Sequence, residues 1–323
     1  METNIHSTTN LFLITNNYQY ALNNVDIIFI TVPSFVIPEI IDNLILSKKT
    51  IIVLVPGSGG KEFFFKKYVE QGHIVVGMDR VPFVSRILES GKSVLVSKKK
   101  KIRYSLLNCY EDSSITQLLN YYLNINVDSI PNYLNITLTP SNQILHSTRL
   151  YSLLANNSIY NSFDRMIKFY AEWDDTSSYY LLSADNELQE IAKAYKLKGV
   201  ISLKIHYESN TINEITEKIK NIKSLSNIDA PLILRKNKYF VDIESRYFKE
   251  DFLYGLFIIK GFAIIANINT PTIDKILLWY NSFSNILYFD DNKFINDFSI
   301  NLPLPQNNNL NNIEDVFNYY NFY

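Results

Sequence analysis

The first half of the chain alternates short, almost continuously apolar runs with stretches of helical periodicity. The run VDIIFITVP (Val25–Pro33) is rich in β-branched residues and shows little polar alternation, which is typical of a strand buried on both faces. Two similar runs follow, over Lys49–Gly60 and His73–Asp79, and apolar residues at helical spacing separate the runs, over Ile37–Ile45 and Glu62–Glu70. Strands that alternate with helices at this spacing predict an α/β fold with a parallel sheet and crossover helices.

The remainder of this half predicts three further elements. Ser93–Leu106 alternates like an antiparallel pair of strands, and the lysine run Lys98–Lys101 is interpreted as its exposed hairpin turn. Ser113–Leu123 has helical spacing. Tyr133–Thr139 (YLNITLT) is predicted to close this half as another strand.

From about residue 140 the pattern becomes helical. Asn186–Leu197 and Ile212–Leu225 have the spacing of amphipathic helices, and Phe248–Ile268 predicts a mostly buried helix. A last helix is predicted over Thr270–Phe283, with Thr270 as N-cap and a proline in the first turn.

These patterns divide the chain into two predicted domains. Residues 1–140 would form an incomplete Rossmann-like domain with a parallel sheet, and residues 141–323 an all-α domain that binds the substrate. A cleft between two such domains is a common ligand site.

Composition excludes several classes of function. The 31 basic and 32 acidic residues give a net charge of -1, and no basic strip with aromatics indicates nucleic-acid binding. The single cysteine, Cys109, rules out an internal disulfide and cysteine-pair zinc motifs, so we predict no metal site and a cytoplasmic location. Charges or prolines interrupt the apolar stretches Asp26–Pro56 and Phe252–Ile268, so we expect buried elements and no membrane span.

Six short motifs, in this order along the chain, carry a family resemblance. They are ITVPS (Ile30–Ser34), VLVPGSGG (Val53–Gly60), MDRVPFVSR (Met78–Arg86), PSNQILHSTRLY (Pro140–Tyr151), SRYFKEDFLYGL (Ser245–Leu256) and NTPTIDKIL (Asn269–Leu277). Together they resemble the octopine/nopaline (opine) dehydrogenases, which combine a Rossmann domain with a helical domain like the C-terminal domain of 6-phosphogluconate dehydrogenase. The resemblance extends over nearly the whole chain.

This resemblance implies an oxidoreductase that uses NAD or NADP. Such enzymes use the reduced cofactor to reduce an imine formed from an amino acid and a 2-oxo acid, which are the implied small-molecule partners. By motif, His146 and Asp251 are the implied catalytic pair, and Arg246 and Asn142 the implied substrate-binding residues. The prolines that the family favours around the histidine are replaced here.

The residue types suit these roles, although each has a simpler explanation. An imidazole can donate a proton as hydride reaches carbon, and a carboxylate on its other nitrogen would fix the tautomer. A histidine in this position could equally be structural, with its ring bonded to a backbone carbonyl. Arg246 offers a planar fork that matches a carboxylate, but it could instead pair with Glu250 or Asp242. Glu250 itself is explained as a first-turn acid favoured by the helix dipole.

The cofactor residues implied by the resemblance are Pro33, Ser34, Gly57 and Gly59. The glycines belong to GSGG, which follows a predicted strand and could be either a tight turn or a binding loop. No glycine precedes Gly57, so the GxGxxG turn that opens a dinucleotide-binding domain is missing ahead of the first predicted strand. We therefore expect weak dinucleotide binding by this chain alone. We also expect an exposed sheet edge, which favours a homo-oligomer.

Two alternatives to an opine dehydrogenase remain open. One is another dehydrogenase built from a Rossmann domain and a helical domain, although no dedicated phosphate-binding cluster is evident. The other is a truncated or degenerate paralogue that keeps the substrate cleft without catalysis. The missing GxGxxG turn favours the second alternative, and the retention of His146, Arg246 and Asp251 counts against it.

Overall fold

The computed structural model describes residues 11–108 and 113–321, so Cys109 lies outside the described residues. The strands are β1 (Ile27–Ile30), β2 (Ile51–Leu54), β3 (Ile74–Met78), β4 (Phe83–Glu89), β5 (Ser93–Lys98), β6 (Lys101–Leu106), β7 (Asn126–Ser129), β8 (Ser162–Phe163), β9 (Leu232–Arg235), β10 (Lys238–Val241), β11 (Phe289–Asp290) and β12 (Lys293–Phe294). The α-helices are α1 (Tyr18–Leu22), α2 (Ile37–Asn43), α3 (Lys61–Glu70), α4 (Ser113–Leu123), α5 (Leu134–Thr137), α6 (Asn142–Leu154), α7 (Asp175–Ala194), α8 (Leu203–Tyr207), α9 (Ile212–Lys220), α10 (Arg246–Phe248), α11 (Phe257–Ile265), α12 (Pro271–Ser284), α13 (Asn296–Ser299) and α14 (Ile313–Tyr319).

The first half folds around a five-stranded sheet in the order β1-β2-β3-β6-β7. Strands β1, β2 and β3 are parallel, and Ile52 pairs with Ile28 on one side and Val75 on the other. Helices α2 and α3 form the crossovers between these strands. Strand β6 runs antiparallel to β3, and β7 runs parallel to β6. The predicted α/β fold class, with a Rossmann-like parallel sheet followed by a helical part, is confirmed.

The predicted hairpin over Ser93–Leu106 is wrong. Strand β5 pairs with β4 in a separate two-stranded ribbon, whereas β6 inserts between β3 and β7. Lys98–Lys101 therefore connects the ribbon to the sheet. Both strands alternate in the sequence, but β5 is exposed along its whole length while Ile102 and Tyr104 of β6 are buried. Alternation shows that a strand has two faces, and it does not identify the pairing partner.

The predicted strand over Tyr133–Thr139 is also wrong. Its middle forms α5, a single helical turn whose four residues are all buried. The strand in this region is β7, which the sequence analysis missed. A short apolar run suits a buried helical turn as well as a buried strand, and periodicity alone does not separate the two.

Apolar side chains cover both faces of the sheet. On one face, Ile115 and Leu119 of α4 pack with Val53, Val76 and Tyr104. On the other face, apolar residues of the strands, α3 and α5 join the core of the helical part. The inner strands β2 and β3 are thus buried on both sides, as continuous apolar runs predict. The same prediction is wrong for VDIIFITVP, because β1 lies at the sheet edge and only Ile30 of this strand is buried.

The helical part is built on α6, α7, α11 and α12. Helix α7 is longer than predicted. Its N-cap is Asp174, whose side chain accepts a hydrogen bond from the backbone N–H of Ser177. The predicted helix over Phe248–Ile268 is observed as α10 and α11, joined by a π-helical segment over Lys249–Leu256. Thr270 does precede α12 at the N-cap position, but its side chain caps no backbone N–H. Its hydroxyl instead accepts a hydrogen bond from the Lys260 ammonium and donates one to Asp274.

The end of the described chain packs back onto the α/β part. The Tyr320 hydroxyl donates a hydrogen bond of 2.8 Å to Glu62 of α3, and the rings of Tyr319 and Phe63 lie 5.3 Å apart. The C-terminal segment therefore contacts both halves of the molecule. Within residues 11–108 and 113–321, no helix has the length and apolar character needed to cross a membrane.

Candidate active site

A cleft lies at the ends of the three parallel strands, facing the helical part. Its walls come from the residues after β1, β2 and β3, from the first residues of α6, and from α10 and the π-helical segment. Ligands of open α/β sheets bind at this carboxyl edge of the strands. A second cavity, lined by residues 41–49 and 67–73, lies near the starts of β2 and β3 and contains none of the predicted site residues.

His146 and Asp251 meet at this cleft. The Nδ1 atom of His146 on α6 lies 2.7 Å from Oδ2 of Asp251 on the π-helical segment. Asp251 lines the cleft, whereas His146 lies behind it with only 2% of its surface exposed. The structure thus brings together two residues 105 positions apart in the sequence.

The other imidazole nitrogen is occupied by a tyrosine. His146 Nε2 lies 2.6 Å from the Tyr170 hydroxyl, and Tyr247 packs against the imidazole with ring centroids 4.6 Å apart. Burial raises the pKa of Tyr170 well above its usual range, so the hydroxyl keeps its proton. A carboxylate only accepts hydrogen bonds, so the contact with Asp251 favours the tautomer with the hydrogen on Nδ1, and Nε2 of that tautomer accepts from Tyr170. Tyr170 was not predicted, because no sequence pattern links it to a histidine 24 residues away.

The π-helical segment directs two consecutive carboxylates to different partners. Asp251 contacts His146, whereas Glu250 accepts hydrogen bonds from the backbone N–H and the hydroxyl of Ser34, at 2.7 and 2.8 Å. Widened π-helical turns occur frequently at functional sites. Glu250 does lie in the first turn of its segment, as the explanation by the helix dipole requires, but its carboxylate is also bonded to Ser34, and burial raises its pKa.

Arg246 lines the cleft with an exposed guanidinium. In the described part of the chain its guanidinium forms no ion pair with Glu250 or Asp242 and no hydrogen bond. The alternative in which it only makes a local salt bridge is therefore not observed. Its donors are free for a carboxylate in the cleft.

Lys61, the first residue of α3, places a buried cation at the cleft. Its ammonium donates to the backbone carbonyls of Val32 and Pro56, each at 3.1 Å. Burial lowers its pKa, and the charge of Glu250 opposes that effect. An ammonium has three donors, so one remains after these two hydrogen bonds. Lys61 was not among the predicted site residues, although it directly follows the GSGG turn.

The four predicted cofactor residues fall into two groups. Pro33 and Gly59 line the cleft. The amide and hydroxyl of Ser34 are both bonded to Glu250, and its side chain is fully buried. Gly57 serves packing: a Cβ at this position would lie 2.5 Å from the Cα of Gly77.

Asn142 is exposed at the start of α6 and lines the cleft, as a substrate-binding residue requires. The next residue, Gln143, donates from Nε2 to the carbonyl of Thr139 at 2.8 Å. This hydrogen bond holds the start of α6 in place where the family's prolines are replaced. Across the described ranges, no three His, Cys, Asp or Glu side chains cluster in a way that could hold a metal ion.

The residues at the strand ends fit the nicotinamide end of a dinucleotide. Val32, Pro33 and Pro56 give this part of the cleft an apolar wall beside Asp251. The remaining donor of Lys61 suits a carboxamide or carboxylate oxygen. Gly59 has φ +89°, and a Cβ there would lie 2.6 Å from the Ser34 hydroxyl oxygen, so the turn needs glycine.

Comparison with known proteins finds sequence similarity to several opine dehydrogenases. Residues 129–284 match the family model described as NAD/NADP octopine/nopaline dehydrogenase, alpha-helical domain. The chain is 24% identical to tauropine dehydrogenase of Arabella iricolor, over 97% of this chain and 84% of the relative. It is 25% identical to opine dehydrogenase of Haliotis discus hannai, over 82% and 71% of the two chains.

Solved structures share the fold. Octopine dehydrogenase in complex with NADH and L-arginine superposes with a TM-score of 0.80 at 20% identity, covering 95% of this chain and 81% of that one. Yersinopine dehydrogenase superposes with a TM-score of 0.61 at 10% identity, covering 84% of this chain and 73% of that one.

Proposed function

We propose that this chain, whose residues 129–284 match the octopine/nopaline dehydrogenase helical-domain model, joins an amino acid to a 2-oxo acid by NAD(P)H-dependent reduction of their imine. The observation that carries this proposal is the 2.7 Å contact between His146 and Asp251 at a cleft that also presents the unpaired Arg246. An acid–base pair beside a carboxylate-binding cation is what condensation with a 2-oxo acid requires.

The overall reaction consumes one amino acid, one 2-oxo acid, one reduced nicotinamide and one proton. The amine nitrogen attacks the keto carbon, the keto oxygen leaves as water, and a C=N bond forms. When bound in the cleft, the reduced nicotinamide would supply the hydride for the imine carbon. The imine nitrogen is protonated before this step, so the π electrons of the C=N bond become its lone pair, and that lone pair takes up the proton that is consumed. The products are a protonated secondary amine with two carboxylates, water and the oxidised nicotinamide.

His146 handles the protons in this scheme. With Nδ1–H held by Asp251, Nε2 is the atom that accepts a proton from the substrate ammonium and returns it to the departing oxygen. Asp251 fixes the tautomer and stabilises the imidazolium that forms. Because Tyr170 occupies Nε2 and His146 is buried, substrate binding must replace the Tyr170 hydrogen bond.

Arg246 and Asn142 are proposed to bind substrate. The guanidinium can form two parallel hydrogen bonds with the carboxylate of the 2-oxo acid, which turns the keto carbon toward the amine. Asn142 lies one helical turn before His146 and can bond a second polar group of the substrate. Pro33, Gly59 and Lys61 are proposed to hold the nicotinamide end of the cofactor. A cytoplasmic location and a homo-oligomeric state remain predictions.

The test is a turnover assay with purified protein, pyruvate, a panel of amino acids, and NADH or NADPH in separate reactions. We expect cofactor oxidation that requires both substrates, and a loss of about 10²–10⁴-fold in kcat for His146→Ala. The matched control is His73→Gln, which changes a histidine outside the cleft. Unchanged turnover in His146→Ala, or no oxidation of either cofactor with any substrate pair, would overturn the proposal.

A further inference from the structure

Arg80 and Lys99 add positive charge to the cleft that the proposed mechanism does not use. Arg80 follows β3, and Lys99 lies in the connection from the ribbon to the sheet; both side chains line the cleft. The Lys99 ammonium makes no hydrogen bond or ion pair with any residue of the described chain. Burial, and then the nearby charge of Arg80, lowers the pKa of Lys99 to about 8.

The guanidinium of Arg80 is also without a carboxylate of its own. It donates to the backbone carbonyl of Pro140 at 2.7 Å, and burial lowers its pKa. The carboxylate that acts on Arg80, Asp79, is engaged by Arg103, which donates to it from its backbone N–H at 3.0 Å and from Nε at 2.9 Å. Three cations therefore share a single carboxylate.

The other titratable neighbours do not offset this charge. Burial, and then Arg80 and Lys99, lowers the pKa of His206 to about 4, so this imidazole is neutral near pH 7. The Tyr207 hydroxyl stays protonated because burial raises its pKa. The other cleft carboxylates have their own partners, since Glu250 binds Ser34 and Asp251 binds His146.

Desolvated cations without a counter-ion are unfavourable, and an arriving anion relieves that cost. The position of the pair indicates which anion. Arg80 is bonded to Pro140, two residues before α6, and it shares the cleft with Ser141 and Asn142 at the start of that helix. The unpaired charge thus lies on the side of the cleft that carries the proposed acid–base histidine.

We propose that Arg80 and Lys99 bind a second anionic group of the amino acid substrate, so that the enzyme selects amino acids with a carboxylate or sulfonate side chain. This inference rests on the proposed function. In the resulting division of work, Arg246 binds the 2-oxo acid carboxylate and the Arg80–Lys99 pair binds the side-chain anion. A lysine or arginine substrate would bring its own positive charge to this pair and is expected to react poorly.

The test compares substrates of equal shape and different charge: glutamate with glutamine, and aspartate with asparagine, each with pyruvate and the reduced cofactor. We expect kcat/KM at least about tenfold higher for the acidic member of each pair, as a charge-assisted contact predicts. Lys99→Met should remove most of this preference. Lys100→Met, an exposed neighbour outside the cleft, should retain it.

Cofactor phosphate is the other source of a suitable anion, and the same variants distinguish it. If Lys99→Met raises KM for NADH or NADPH and leaves the acidic preference intact, the pair serves the cofactor and the inference is wrong. Faster turnover of glutamine than of glutamate would also overturn it while leaving the proposed function standing.

If no amino acid is turned over, calorimetry still decides the inference. Glutamate binding to the intact protein that is absent for glutamine and lost in Lys99→Met would support it. Equal binding of glutamate and glutamine would overturn it.

Discussion

Glu250 and Ser34 form a double hydrogen bond that joins the π-helical segment to the turn after β1. The Glu250 carboxylate accepts from the Ser34 backbone N–H at 2.7 Å and from its hydroxyl at 2.8 Å. The two residues are 216 positions apart, and Asp251 directly follows Glu250. The contact therefore fixes the turn that aims Asp251 at His146.

Ser34→Ala removes one of these two hydrogen bonds and leaves the backbone bond in place. We expect the free energy of unfolding to fall by about 1 kcal/mol. Glu250→Gln should cost more, because the Ser34 amide loses a charged acceptor and Lys61 loses the carboxylate whose charge most stabilises its ammonium. Urea denaturation measures both, with the exposed Ser97→Ala as control. A Ser34→Ala protein as stable as wild type would show that the contact contributes nothing.

The sequence predicted the sheet well because its signal is local. The apolar β-branched runs form β1, β2 and β3, and each run carries its own pattern, although β1 lies at the sheet edge and is only half-buried. The pairing of β5 with β4 and the helical turn at α5 were mispredicted because tertiary contacts decide them. Burial of Tyr133 against Gly57 and Gly77 has no trace in the local pattern.

The candidate site was predictable only in part. The motifs indicated His146, Arg246 and Asp251, and the structure places all three at or directly behind one cleft wall. The partners of those residues could not be read from spacing, because Tyr170 reaches His146, and Ser34 reaches Glu250, through the fold.

Asp251→Asn tests how the carboxylate acts on His146. The amide keeps the shape of the side chain but can present its NH₂ group to Nδ1, which favours the wrong imidazole tautomer. We expect kcat to fall by about 10²–10⁴-fold with a much smaller change in KM. Steady-state kinetics measure both constants, and thermal unfolding confirms that the variant is folded. Retention of wild-type kcat would exclude Asp251 from proton handling.

Tyr170→Phe leaves the buried His146 Nε2 without its hydrogen-bond partner. An unsatisfied buried acceptor costs about 1–3 kcal/mol, so we expect the free energy of unfolding to fall by that amount. Tyr160→Phe is the control, because that hydroxyl belongs to a side chain that is 83% exposed. Equal stability of the two variants in urea would mean that Nε2 finds another partner.

Glu62 is a buried carboxyl outside the proposed mechanism. Its Oε1 accepts hydrogen bonds from Thr137 at 2.5 Å and Tyr320 at 2.8 Å, whereas Oε2 has no partner in the described structure. Burial raises its pKa from the ordinary 4.5 to about 7, against the opposing effect of these hydrogen bonds.

Stability should therefore fall as pH rises through this window. Between pH 4.5 and about 7 the native protein binds more protons at Glu62 than the unfolded chain does, so the free energy of unfolding decreases with pH. The loss amounts to about 3 kcal/mol and is complete above the native pKa. Glu62→Gln stays neutral throughout, so its stability should lack this component. Urea denaturation of both proteins at about pH 5 and about pH 8 measures the difference. A wild-type protein whose pH dependence equals that of Glu62→Gln would show that Glu62 titrates alike in both states.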